Sequence, residues 1–199
     1  MGDGLRSTAA RGMSWTGLAQ AAGYLITLAS LGLSARFLRA EDFGIEAAGV
    51  LILRAWTIVA DLGVSRALVQ RRDLKPPHLI AAFWMGLVTS CVCAVLLWRT
   101  AWVWGELLFE DPAPVAAILP ALALGVVCTG IGAVPRARME RAFRFQGLAI
   151  IDFCGALLWG FTLVGLAATG RGVWSLVWAY VARSTVLGLG PWLLSETVP

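Results

Sequence analysis

Arg54, Arg183 and Asp152 carry chemistry that their surroundings do not suit. Arg54 stands in "AAGVLILRAWTIVAD" (47–61), with Val50, Leu51, Thr57 and Ile58 as its helical neighbours. Arg183 stands among Ala179, Tyr180, Val186 and Leu187, and Asp152 interrupts an equally apolar stretch. A charge at mid-bilayer costs roughly 2.5–3.5 kcal/mol on insertion scales, so each must face a partner or water. Asp61 follows Arg54 on nearly the same helical face but about 10 Å along the axis, and Glu46 precedes it by about 12 Å, both too far for a comfortable direct bridge. Guanidinium groups bind carboxylate or phosphate in a fork. Two readings follow. In one, Arg54 or Arg183 forms a structural ion pair with Asp152 or Asp61. In the other, Arg54 and Arg183 face a wet cavity and bind a polar or anionic substrate. A pair that forms in one state and breaks in another would satisfy both.

Other chemistry is poorly supported. The four cysteines, Cys91, Cys93, Cys128 and Cys154, lie in apolar runs without a CxxC spacing, and the single histidine, His78, stands apart from them. No metal site or disulfide framework is expected. Nucleotide-binding, zinc-protease and dinucleotide motifs are missing, so the chain is not expected to be an enzyme or to carry a cofactor.

The elements that position these charges are apolar. Of 199 residues 59% are hydrophobic and only 14% charged, where a soluble domain carries about 25% charged. Mean hydropathy is +0.78. Charged residues divide the chain into six segments, at about 12–35, 43–62, 78–98, 112–135, 146–170 and 172–194. A helical span needs about 20 residues, and the segments lack the alternation of a barrel wall. The expected fold is an all-α polytopic membrane protein, six transmembrane helices in one bundle over residues 1–199.

The net charge of +4 comes from fifteen arginines and Lys75 against twelve acids. Ten basic residues fall on one side of the spans: Arg6, Arg11, Arg66, Arg71, Arg72, Lys75, Arg136, Arg138, Arg141 and Arg144. Four, Arg36, Arg39, Arg99 and Arg171, fall on the other. The positive-inside rule places both termini in the cytoplasm. The excess is therefore assigned to topology and lipid headgroups, with no nucleic-acid partner. "VWGELLFEDPAP" (103–114) is expected at the outer interface. "PRARMERAFRFQG" (135–147) is expected as a short surface helix starting at Pro135, with Arg136, Arg138, Arg141 and Arg144 on anionic inner-leaflet lipids and Phe143 and Phe145 dipping in. Small residues at Ala19 and Gly23, Ser30 and Ser34, Gly125 and Gly130, and Gly155 and Gly160 permit close helix packing.

Five stretches taken together resemble a known family. They are "LSARFLRAEDFGI" (33–45), "DLGVSRALVQRRDL" (61–74), "HLIAAFWMGL" (78–87), "VPRARMERAFRFQGLAIID" (134–152) and "GRGVWSLVWAYV" (170–181). Their order and spacing are similar to the lipopolysaccharide and exopolysaccharide flippases of the polysaccharide transporter family, within the multidrug/oligosaccharidyl-lipid/polysaccharide exporter superfamily. The resemblance covers the N-terminal six-helix lobe of proteins with twelve to fourteen spans. It implies translocation of an undecaprenyl-pyrophosphate-linked oligosaccharide across the bacterial inner membrane by alternating access, without ATP hydrolysis. It also implies, as partners, a second six-helix half or polysaccharide synthesis proteins. A drug or metabolite exporter of the same superfamily, and a non-transporting scaffold of an envelope-sugar synthesis complex, are the alternative functions. Asp61, Gly63 and the Arg136–Arg144 linker match the family pattern; Arg54 and Arg183 are assigned from their depth alone. In a transporter of this kind Asp61, Asp152 and Glu46 would serve as ion-pair partners, or as a coupling site for a proton or sodium ion.

Overall fold

The computed structural model describes the backbone of residues 2–61 and 76–194, and the side chains of 17–60 and 77–194. Those residues form helices α1 (Gly2–Ser34), α2 (Ala40–Asp61), α3 (Pro76–Arg99), α4 (Ala101–Leu108), α5 (Ala113–Arg141), α6 (Phe145–Ala168) and α7 (Val173–Leu194), with no strand among them. Among the described residues, Gly17–Ser34, Ala40–Ala60, Pro77–Arg99, Ala113–Arg141 and Phe145–Ala168 are long and apolar enough to cross a membrane. The protein is an all-α polytopic membrane protein. The sixth segment expected to cross, α7, has 22 residues but falls short of that apolarity, with Arg183 at its middle. It nonetheless packs closely on both α5 and α6.

α5 is the axle of the bundle, touching α2, α3, α4, α6 and α7, while α1 packs along α6. Val115, Ile118, Leu119, Leu122 and Val126 recur at helical spacing and are buried against Ile52 and Leu53 of α2, Cys93 and Leu97 of α3, and Val177 of α7. A second cluster joins Leu163 and Ala167 of α6 to Leu176 and Ala179 of α7. Elsewhere large apolar side chains point outward, among them Leu25, Leu28, Trp84, Val88, Val92 and Phe161, as hydrocarbon-facing helices require.

One carboxylate ties two helix starts together. Asp42 Oδ2 accepts the Arg39 backbone N–H at 2.9 Å, half of a capping box at the start of α2. Its Oδ1 accepts the Val173 N–H at 3.1 Å, an otherwise orphaned donor in the first turn of α7. The "EDFG" turn therefore has a structural task, holding the α1–α2 connection against the α6–α7 connection. Asp42→Ala should cost about 1–2 kcal/mol of stability, and Asp42→Asn about half of that because one acceptor oxygen survives. Thermal unfolding in detergent would measure both.

The stretch 135–147 is not a separate surface helix. Residues 135–141 continue α5, and Pro135 lies inside that helix rather than at a start. Proline at 135 cannot donate to the Ile131 carbonyl. The Trp192 indole N–H of α7 fills the vacancy, donating to Ile131 O at 3.0 Å, so the helix carries the proline without breaking. It ends six residues later in a Schellman turn: Arg144 N–H donates to Met139 O (2.9 Å) and Phe143 N–H to Glu140 O (3.1 Å). Phe143 occupies the left-handed position of that turn at φ 55°, a conformation costing an L-residue roughly 1–2 kcal/mol. The matching turn at the far end of α6 places Gly170 there, at φ 75°.

Candidate functional site

A groove of about 480 Å³ opens between α1, α5, α6 and α7. Its walls carry Gln20, Tyr24 and Thr27 from α1, Thr129 and Arg136 from α5, Asp152 from α6, and Arg183 from α7. The threonines satisfy themselves within their helices, Thr27 donating to Gly23 O (2.9 Å) and Thr129 to Val126 O (2.9 Å) and Gly125 O (3.0 Å). They wet the wall without demanding partners from other helices.

The expectation that Asp152 is an unpaired charge awaiting Arg54 or Arg183 is corrected. Arg136 takes it in a bidentate fork, Nη1 to Oδ1 at 3.0 Å and Nη2 to Oδ2 at 3.1 Å. Arg136 Nε adds a contact to Glu140 Oε1 at 3.4 Å, one helical turn on. Arg136, expected on inner-leaflet lipid, is thus drawn into the groove, because α5 runs on past Pro135 and leaves it on the wall. The pair follows from the hairpin: both residues lie eight positions from Arg144, so an antiparallel turn brings them to one depth. That symmetry was readable in the sequence once α5 and α6 were taken as neighbours. Arg136 also lines a cleft of about 270 Å³ between α2, α3 and α5, with Thr57, Ser90 and Glu140. It lines a third of about 450 Å³ beside Gln20, Phe145 and Asp152. It stands where the three openings meet.

Arg183 lies on the groove wall about 15 Å from the start of α7. Arg54 is exposed on α2 about 20 Å from that helix's start. Both act electrostatically on Tyr180, whose ring packs against Gly125 of α5. Glu46, half-buried, is within electrostatic reach of Arg54. Among the described residues neither Arg54 nor Arg183 forms an ion pair. Asp61 ends α2, but its side chain lies outside the described residues, as does Gly63. Gln20, Thr129, Glu140 and Tyr180 were not expected at the site; nothing in a single sequence separates them from ordinary span residues.

Arg138 and Arg141 flank a separate cleft, and Arg144 reaches Leu194 O at 3.4 Å. No group of three or more potential metal ligands occurs among the described residues. Chemically, the groove offers one cation without an ion-pair partner among the described residues, Arg183, one neutralised pair and a lining of hydroxyl and amide groups. That combination suits a polar or anionic group entering between helices.

A family model described as "Polysaccharide biosynthesis protein" matches residues 33–199. The chain is 23% identical over 164 residues to "Lipopolysaccharide biosynthesis protein WzxC" of Escherichia coli (strain K12), covering 82% of this chain and 33% of that protein. It is 25% identical over 201 residues to "Succinoglycan biosynthesis transport protein ExoT" of Rhizobium meliloti (strain 1021), covering 96% and 38% respectively. The chain thus spans little more than a third of the length of these curated relatives. No solved structure matches it significantly.

Proposed function

The chain belongs to the polysaccharide biosynthesis protein family, and from that premise we propose that its groove forms one wall of a pathway carrying an undecaprenyl-pyrophosphate-linked oligosaccharide across the bacterial inner membrane. The observation that carries this reading is Arg183, a mid-helix guanidinium without an ion-pair partner among the described residues, on the wall of an open groove. A structural cation would be matched by a carboxylate. Asp152, the carboxylate lining the same groove, is already taken by Arg136. A diphosphate supplies the missing counter-charge to Arg183 and, across Tyr180, to Arg54, and both guanidinium groups suit its oxygens.

The names of the two relatives, one a lipopolysaccharide biosynthesis protein and one a succinoglycan transport protein, support an envelope polysaccharide as cargo. A basic groove favours a phosphorylated lipid over a cationic drug. One bundle supplies one wall, and a second six-helix half supplies the other, so that rocking between them exposes the groove to each leaflet in turn. The termini and the α5–α6 turn face the cytoplasm, following the arginine distribution. The protein moves its substrate without chemically changing it.

The reading is tested by binding of undecaprenyl pyrophosphate to the chain in lipid nanodiscs. Arg183→Gln should raise Kd about tenfold or more, the worth of one charge-assisted contact, and Arg54→Gln by a comparable factor. An unchanged Kd in both variants would reject the diphosphate role. If Arg54→Leu and Arg183→Leu also leave polysaccharide export intact in a complementation assay, the transport reading goes with it.

A further inference from the structure

Two of the openings around Arg136 are stacked along the bundle axis. The one of about 450 Å³ lies toward the α5–α6 turn, with Glu140, Phe145 and Leu148 on its walls. The groove of about 480 Å³ lies deeper, with Tyr24, Thr27 and Arg183. The two have Gln20, Arg136, Ala149 and Asp152 in common. On α6 the shallower opening is lined from within 145–152 and the groove from within 149–156. The four shared residues therefore form one layer between the two spaces, with Asp152 about 10 Å into α6.

The Arg136–Asp152 fork is the part of this layer built to open. α6 packs mainly on α1 and α7, and α5 on α3 and α7, so the fork crosses a gap that direct packing of α5 on α6 leaves unfilled. Asp152 occupies Nη1 and Nη2 of Arg136, while Glu140 holds Nε at 3.4 Å from one turn along the same helix. An incoming oxyanion can take the Nη face from Asp152 and leave the Nε anchor in place. Both side chains are partly exposed, so water lowers the cost of parting them. The next cation is close. A Cβ at Gly155 would lie 3.5 Å from Arg183 Cγ, which sets the Arg183 side chain against α6 about one turn beyond Asp152.

On the reading that the groove carries a diphosphate, we propose that the Arg136–Asp152 fork is its inner gate and that the phosphate itself opens it. A diphosphate in the shallower opening displaces Asp152 from Arg136 and passes to Arg183, and Asp152 then reclaims Arg136 behind it. A molecule without an anionic group has nothing to offer Arg136 and meets a closed layer. Arg136 thus selects phosphorylated cargo before it reaches the groove.

The test places a cysteine on each side of the layer, Thr27→Cys in the groove and Phe145→Cys in the shallower opening, in the full chain in inside-out membrane vesicles. A cationic, membrane-impermeant thiol reagent is added at the cytoplasmic face, and labelled positions are read by peptide mass spectrometry. Position 27 should label slowly with the fork intact and several-fold faster in both Asp152→Asn and Arg136→Gln, while position 145 labels at one rate throughout. Cys93, buried in the core, should stay unlabelled. Association of undecaprenyl pyrophosphate with the chain in nanodiscs should then separate the two variants. It should be about tenfold faster in Asp152→Asn, which removes the competitor for Arg136, and about tenfold slower in Arg136→Gln, which removes the phosphate's partner. A merely structural pair would move both rates in one direction. Unchanged labelling at position 27 in either variant, new labelling of Cys93, or association rates shifted the same way or not at all overturns the gate. If Arg183→Gln still weakens binding in that case, the diphosphate reading stands and the gate alone falls. An unchanged Kd in Arg183→Gln and Arg54→Gln removes the diphosphate, and the key to the gate with it.

Discussion

Gly188→Ala is expected to unfold this protein or prevent its accumulation in the membrane. A Cβ at 188 would strike the Cys128 carbonyl of α5, and one at Gly132 would lie 2.7 Å from Gly188 Cα and Leu187 O. Both obstacles are backbone, so no rotamer change relieves them. α5 and α7 would have to move apart along the crossing that also carries the Trp192–Ile131 hydrogen bond. Overpacking typically costs 1–3 kcal/mol, and a backbone clash at the central helix pair belongs at about 3 kcal/mol or more. Gly132→Ala should do comparable damage. The double variant should cost much less than the two added together, because the first substitution already opens the crossing. Gly165→Ala is the control, since a Cβ there meets nothing within 4 Å and should be neutral or stabilising by up to about 1 kcal/mol through helix propensity. Folded yield and thermal unfolding in detergent would measure the series. A stable Gly188→Ala protein would mean that the two helices do not approach as closely as described.

Asp152→Asn should be the most damaging substitution among the polar groups. It removes the counter-charge and one acceptor of a bidentate fork, leaving Arg136 a single neutral oxygen at 152 and the longer contact to Glu140. Breaking a fully buried pair costs about 3–5 kcal/mol. Here the side chains keep 34% and 31% of their exposure, so water compensates in part and about 1–3 kcal/mol is expected. Arg136→Gln should cost at least as much, because it leaves a carboxylate in the groove without its cation. Arg136→Gln combined with Asp152→Asn pairs two neutral amides and should recover much of the loss, giving a coupling energy of about 1 kcal/mol or more in a double-mutant cycle. Strict additivity would show that the fork contributes nothing to the folded state.

Where the helices lie was largely answerable from hydropathy, because the bilayer needs apolar runs of a set length. The expected segment 146–170 corresponds to α6 at Phe145–Ala168, and 78–98 to α3 at Pro76–Arg99. Membrane class, helix content and family resemblance were legible for the same reason: they depend on composition and on local order along the chain. Small-residue packing was partly legible. Gly160 does meet Ser30 and Gly130 does meet Ser90, but the tightest crossing, Gly132 on Gly188, was not singled out, since it depends on which helices are neighbours.

What the tertiary structure decided was the pairing of charges and the continuation of α5. Pro135 reads as a helix start when only its own segment is considered. It lies inside a helix because an indole N–H from α7, 57 residues further along the chain, accepts the task its missing N–H leaves undone. Arg136 reads as a headgroup contact, yet it neutralises Asp152 because the hairpin sets them at one depth. Arg54 and Arg183 could be recognised as misplaced from their neighbours in sequence; that neither forms an ion pair among the described residues required the packed bundle. Local pattern determines which residues must be compensated, because the cost of a charge in hydrocarbon is a property of its own segment. Which group compensates it is a property of two segments distant in sequence, and only their packing brings the donor to the acceptor.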